Sequence, residues 1–271
     1  ERHLAASVAD VAAVRTLGLA DVGVGVEGAE RDIRGQGQRR ADLEVQVVGG
    51  AEQGIVLDRL VAAGEKLSGW KIGGTSDAAR QMLKLTEPVH GYLLAKNHYA
   101  NGHTFAHAAI GKPVIESELC ITLGKDLKGP GITRERVVDA VSAITPAFEV
   151  AQMRSDMASD LPLGVADDVA QWGIVTGTAV SPYPKGLDLG GISIEMKKNG
   201  EMVQQAVGRE VIDDQLDALV WLANRLAAYG RGLEAGQCVM TGSCTKPAPI
   251  AKGDTWETTF SSVGVVSATF E

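Results

Sequence analysis

Cysteine is scarce in this chain, basic residues are outnumbered and long apolar runs are missing, and each shortage removes a class of protein. The three cysteines, Cys120, Cys238 and Cys244, are odd in number and lack metal-ligand spacing, so neither a disulfide framework nor a zinc site is expected. Lys and Arg number 26 against 34 Asp and Glu, a formal charge of −8 with a pI near 5.2, and no basic patch or stripe stands out. No general affinity for nucleic acid or anionic membranes is expected, and small-molecule chemistry is the better expectation. No apolar stretch approaches the roughly 20 residues of a membrane span. The first residues lack the basic-then-apolar order of a signal peptide, so a soluble protein of the reducing cytoplasm is expected. A chain of 271 residues allows one large domain, or a small one attached to a bigger one.

What is present centres on Val114-Ile115-Glu116-Ser117-Glu118-Leu119-Cys120-Ile121-Thr122-Leu123. In a strand, side chains alternate, so Glu116 and Glu118 share one face while Ile115, Leu119 and Ile121 share the other. Two neighbouring carboxylates between apolar strands repel one another and resist burial unless a cation or a shared proton compensates. Glu149, in Pro146-Ala147-Phe148-Glu149-Val150, has a similar setting. Three carboxylates on strands offer hard oxygen ligands suited to Mg²⁺ or Mn²⁺. A lone E-x-E is more often a solvated strand face, so the context decides.

Along the chain, helix is expected at Leu4–Leu17 and over Gln53–Leu67, ending near Gly64. Gly23-Val24-Gly25-Val26-Glu27-Gly28 matches the dinucleotide fingerprint, with Asp42 or Glu44 as the ribose acid. The helix that motif needs is broken at once by Gly35 and Gly37, so it is read as chance. Ser68–Ser76 reads as a short strand entering a glycine turn, then Asp77–Leu85 as a helix capped by Ser76 or Asp77. Taken alone, Lys71 reads as a solvated strand residue, and His90, His98, His103 and His107 as ordinary loop residues. Thr133–Ile144 is expected as helix, and residues 151 to 172 as a long polar connection, a kind of segment that is usually functional. Strands follow at Ile174–Val180, then a hairpin, Ile192–Lys198 with Glu201–Val207, on Asn199-Gly200. Asp214–Tyr229 reads as an amphipathic helix, and strands close the chain at Gln237–Thr241, Asp254–Phe260 and Gly264–Phe270.

In this order the segments resemble the fumarylacetoacetate hydrolase superfamily, in its branch of 2-oxo-4-pentenoate hydratases and 4-oxalocrotonate decarboxylases. The resemblance rests on Gly69-Trp70-Lys71-Ile72-Gly73 with Thr75-Ser76, Glu87-Pro88 with Gly91, Ile115-Glu116-Ser117-Glu118, Leu127-Lys128-Gly129-Pro130-Gly131, Pro146-Ala147-Phe148-Glu149-Val150, and Met240-Thr241-Gly242-Ser243 before Gly253-Asp254. It spans about residues 55 to 271 and leaves roughly the first 50 uncovered. It implies an α+β fold with a mostly antiparallel β-roll over residues 67–271 and a partly helical region at 1–66. It also implies Mg²⁺ or Mn²⁺ on Glu116, Glu118 and Glu149, an active-site Lys71, and substrate contacts from Ser76, Leu93, Thr241 and Ser243. The partner implied is a small 2-oxo acid, and a homo-oligomer is expected, with a related pathway enzyme as a candidate companion.

Two departures bear on mechanism. After the pocket's Gly-x-Leu the family usually has acids, where this chain reads Gly91-Tyr92-Leu93-Leu94-Ala95-Lys96-Asn97. In place of Ala-Asp-Asn-Ala-Ser-Ser it reads Ala166-Asp167-Asp168-Val169-Ala170-Gln171. An acid and a serine hydroxyl that handle the proton or the water are thus replaced, and Lys96, Asp168 and Gln171 are the candidate substitutes. The leading expectation is a metal-dependent lyase hydrating 2-hydroxypenta-2,4-dienoate to 4-hydroxy-2-oxopentanoate, with decarboxylation of a 2-oxo-enedioate close behind. A C–C hydrolase would need a histidine base, His90 above all. A non-catalytic partner subunit is the rival from another class, and a dehydrogenase would need the glycine motif.

Overall fold

In the computed structural model of the protein, residues 35–154, 159–211 and 214–271 are described. The helix expected at Leu4–Leu17 and the Gly23–Gly28 motif lie outside them. Thirteen strands form two sheets among the described residues. The larger contains β1 (Leu67–Gly73), β2 (Val89–Leu94), β3 (His98–Ala100), β5 (Pro113–Leu123), β6 (Val141–Gln152), β7 (Gln171–Thr176), β10 (Cys238–Ser243) and β11 (Ala248–Pro249). Its order is β2-β1-β10-β5-β6-β7-β3, with β11 also pairing β5. The smaller runs β4-β13-β12-β8-β9, using His103–Phe105, Gly264–Phe270, Thr255–Phe260, Ser193–Lys198 and Glu201–Val207. Most pairings are antiparallel; β1 with β10, β3 with β7 and β4 with β13 are parallel. The α+β class and the mostly antiparallel β-roll expected from the resemblance are the architecture found.

The strand β5 is the spine. It pairs with β6 from Pro113 to Leu123, and its alternation divides the sheet into two chemically distinct faces. Ile115, Leu119 and Ile121 join Phe148, Val150 and Val175 on one face, packed with Trp256, Phe260 and Phe270 of the smaller sheet in the main core. Each such side chain removed from water contributes about 1.5–3 kcal/mol, so the register of β5 is strongly specified. Glu116 and Glu118 are thereby turned to the other face.

Among the described residues, five helices of six or more residues frame the sheets: α1 (Gly35–Ala62), α2 (Asp77–Leu83), α3 (Arg134–Ala140), α4 (Leu161–Ala166) and α5 (Gln215–Ala227), the last burying Leu216, Leu219, Leu222, Ala223 and Leu226 in the main core. Asp214 caps α5, accepting from the Leu216 and Asp217 amides. In α1, Val56 packs against Ala166 of α4 while Leu57 enters the main core. None of the described helices is long and apolar enough to cross a membrane.

Three expectations of secondary structure are corrected, the first being that Gly35 and Gly37 break a helix, since α1 starts at Gly35 and continues through Gly37. The helix expected over Thr133–Ile144 stops at Ala140, because Val141, Ala143 and Ile144 begin β6 and pair with Leu123, Thr122 and Ile121; the long β5 ladder overrides local helix preference. The polar connection of residues 151 to 172 contains α4, which Asp160 caps by accepting from the Leu163 amide, and the start of β7. The Asn199-Gly200 hairpin is present as expected, joining β8 to β9 with both residues at positive φ.

Candidate active site

On β5, Glu116 lies directly opposite Glu149 of β6, and Glu118 lies opposite Ala147. Carboxylate oxygens of Glu116, Glu118 and Glu149 all lie within 4.8 Å of one another. Glu118 and Glu149 are each 2 % exposed. Lys71 is 4 % exposed and reaches the cluster from β1, its Nζ forming an ion pair with Glu149 and donating to the Val169 carbonyl at 2.9 Å. The reading of Lys71 as a solvated strand residue is therefore overturned: the register Lys71↔Met240 and Lys71↔Gly91 turns it to the same face as the acids.

Burial and mutual repulsion dominate the electrostatics. Burial first, then Glu149, raises the Glu116 carboxyl to about 7, with Lys71 and a hydrogen bond from Ser243 pulling the other way. Glu118 is pushed well above the carboxylate range by burial and by both neighbours, although its Oε2 accepts from the Gly242 amide at 2.9 Å. For Lys71, burial disfavours the charge, but Glu149, Glu116 and Asp168 more than offset it and raise its pKa. One ammonium among three buried acids and the half-buried Glu116 leaves the site short of positive charge, and oxygen donors so arranged fit a hard divalent cation.

The rest of the site comes from an unusual turn. Asp168, Val169 and Ala170 have φ of 59°, 51° and 60°. For residues other than glycine this left-handed conformation costs about 1–2 kcal/mol each. The turn presents the Val169 carbonyl to Lys71, and the buried Asp168 accepts through Oδ1 from the Tyr92 amide at 2.7 Å. Burial raises the Asp168 pKa well above the usual range. With its amide oriented to satisfy both neighbours, Gln171 donates to Glu149 Oε1 at 2.9 Å and accepts from the Gly173 amide at 3.3 Å. Two glycines permit these approaches. A Cβ on Gly91 would sit 2.9 Å from both Asp168 Oδ1 and Lys71 Cγ, and one on Gly242, at φ 105°, would sit 2.2 Å from Thr75 Oγ1.

The structure thus brings Lys71, Glu116, Glu118, Glu149, Asp168, Gln171 and Ser243 together, with Leu93 on the same face, and places Lys96, Ser76 and Thr241 elsewhere. Lys96 lies in a short turn after β2, paired with Glu65 and 41 % exposed. Ser76 caps α2 by accepting from the Ala79 amide, and the Thr241 hydroxyl is committed to the Leu119 carbonyl. Leu93 packs with Cys120, Ala147, Ile174, Cys238 and Met240, the apolar floor of the acid-bearing face. His90 is not a loop residue: it lies on β2 opposite Ile72, hence on the face away from Lys71. It is ringed by Trp70, Trp221 and Tyr229, with a pKa pulled down to about 4 by burial and by Arg231. That position deprives the C–C hydrolase reading of its expected base. Reasoning from sequence missed the Gly242 amide, the Val169 carbonyl, Gln53 and Arg154. Backbone groups carry no residue signature; Arg154 sits in a connection without a periodic pattern, and Gln53 is a polar position of an expected helix whose partners lie far along the chain.

A curled mixed sheet with buried carboxylates facing a lysine defines a class of fold and site that known proteins share. Residues 73–271 match the family described as fumarylacetoacetate (FAA) hydrolase, C-terminal, and the chain belongs to that family. It is 34 % identical over 212 residues to 2-hydroxyhexa-2,4-dienoate hydratase of Comamonas testosteroni, covering 77 % of this chain and 80 % of that protein. It is 35 % identical over 217 residues to 2-oxo-hept-4-ene-1,7-dioate hydratase of Escherichia coli, covering 78 % and 81 %. Among solved structures it is similar to 4-oxalocrotonate decarboxylase from Pseudomonas putida G7 complexed with magnesium and adipate, with a TM-score of 0.79, 27 % identity and 98 % of each chain covered.

Proposed function

We propose that the protein is a divalent-metal-dependent lyase of an unsaturated 2-oxo acid, and that it hydrates 2-hydroxypenta-2,4-dienoate to 4-hydroxy-2-oxopentanoate. The observation that carries this reading is the convergence of the half-buried Glu116 with the buried Glu118 and Glu149 beside Lys71, in a chain whose relatives include hydratases of such acids. Glu116, Glu118 and Glu149 would hold Mg²⁺ or Mn²⁺, which when bound supplies Lewis acidity that makes C3 of a 2-oxo acid exchange its protons. Lys71, held between Glu149 and the Val169 carbonyl, offers its ammonium to the substrate carboxylate. Burial raises the Asp168 pKa and so favours its protonated form, which makes it the candidate acid for the far end of the diene. Gln171 orients Glu149 and leaves the aliphatic floor around Leu93 to exclude water.

Decarboxylation of a 2-oxo-enedioate is the second reading, favoured by the end-to-end likeness to a decarboxylase structure. Both reactions use the conjugated 2-oxo or enol group as electron sink, and they part at water addition or CO₂ loss. Assaying each substrate with Mg²⁺ or Mn²⁺ for the two products decides between them, and turnover of neither would sink the lyase reading. A cytoplasmic homo-oligomer and a division of the chain into 1–66 and 67–271 belong to the same proposal, to be checked by light scattering and limited proteolysis.

A further inference from the structure

The left-handed turn at Asp168–Ala170 has no preference of its own for the shape it adopts. Val169 is β-branched and Ala170 carries a Cβ, so the backbone would leave this region if nothing held it. What holds it is outside the cluster. Arg154, whose side chain is 12 % exposed, donates through Nε to both Asp167 carboxylate oxygens at 3.1 and 2.9 Å, through Nη2 to the Asp167 carbonyl at 2.8 Å and through Nη1 to the Gln171 carbonyl at 2.9 Å. One guanidinium therefore ties the residue before the turn to the residue after it. From the other side Gln53 of α1, 1 % exposed, donates to the His90 and Val165 carbonyls at 2.8 and 2.9 Å and approaches Asp168 Oδ1 at 3.5 Å.

We propose that Arg154 is a positioning residue of this site: by closing the turn between Asp167 and Gln171 it aims the Val169 carbonyl at Lys71 and the Gln171 amide at Glu149. The inference rests on the lyase reading for its kinetic consequence, and on geometry alone for its structural one. Arg154 touches none of the three clustered carboxylates, which stand on the rigid β5–β6 ladder. Its loss should therefore leave metal affinity in place while misplacing the lysine and Asp168. The planar fork is the essential feature, since three donor nitrogens in one plane span the turn with four contacts and a lysine ammonium cannot.

The test compares Arg154→Met, Arg154→Lys and Arg154→Met with Ala170→Gly, each measured for kcat, KM, Mn²⁺ affinity and backbone hydrogen exchange. For Arg154→Met, kcat should fall at least about tenfold with Mn²⁺ affinity within about threefold of wild type, and exchange should rise over residues 167–171 while β5 and β6 stay protected. Arg154→Lys should recover little. Adding Ala170→Gly should return part of the lost kcat, because glycine enters the left-handed region without the Cβ penalty. If Arg154→Met does not fold, Arg154→Lys carries the same test with charge kept. Wild-type kcat and exchange in these variants would overturn the proposal, as would exchange raised evenly across the fold. A wild type inactive on every 2-oxo acid would instead defeat the lyase reading, and the exchange measurement would still decide the role of Arg154.

Discussion

The site is made from two kinds of chain, the β5–β6 ladder and the turn from Asp167 to Gln171, and they hold their groups by different means. On the ladder each acid is aimed by alternation: Ile115, Leu119 and Ile121 are bound into the core, so Glu116 and Glu118 have one direction left. In the turn nothing intrinsic aims the Val169 carbonyl, and tertiary partners impose three left-handed residues. The ladder is stiff and supplies charge; the turn is strained and sets where that charge points. Damage to the ladder should therefore abolish chemistry, and damage to the turn should only degrade it.

The largest effect is expected from Glu118→Gln, which keeps size and the Gly242 contact but removes a ligand charge. Turnover should fall by about 10³ or more, the scale of losing a group that acts directly on the reacting centre, and assays with saturating Mn²⁺ check this. Next comes Lys71→Met, expected to fold and to bind metal while losing about ten- to a hundredfold in turnover, one charge-assisted contact in the transition state. Unchanged kinetics would remove the lysine from the mechanism.

A third prediction sharpens the contrast through pH. Glu116 and Glu118 have folded-state pKa values raised above the unfolded ones, so between those values the folded chain binds more protons than the unfolded chain. Stability of the metal-free protein should therefore fall as pH rises from about 5 through about 7, by on the order of 2 kcal/mol. Adding Mg²⁺ should flatten that dependence, and thermal melts with and without the ion report it. A metal-free stability that climbs over the same range would contradict the electrostatics of the ladder. Gly91→Ala is expected to be milder, displacing the Asp168 turn and costing a few-fold in kcat with metal affinity kept. The smallest effect is expected at Lys96, whose exposed pair with Glu65 is worth about 0–1 kcal/mol; Lys96→Ala should leave turnover within about twofold.

The same contrast explains how much could be read from residues alone. Period-2 alternation makes the acid face of β5 legible in the sequence, and the hairpin at Asn199-Gly200 and the helix begun by Asp214 announce themselves by local chemistry. The end of α3 at Ala140 does not, because the pairing that claims Val141 to Ile144 comes from β5, some twenty residues earlier. His90 and Lys71 were misread in isolation for one reason: their burial depends on which strands flank β1 and β2, and neighbouring residues do not say. The turn was illegible for a sharper reason, since Asp-Val-Ala shows no sign of positive φ and the residue that closes it, Arg154, stands thirteen positions before Asp167.

The most direct measurement of the central claim is calorimetric titration of Mn²⁺ into the wild-type chain and into Glu149→Ala. The account predicts one site per chain in the wild type and a loss of affinity of at least about a hundredfold in the variant, because one of three clustered carboxylates is gone while the fold is retained. Equal affinity in the two proteins would contradict it.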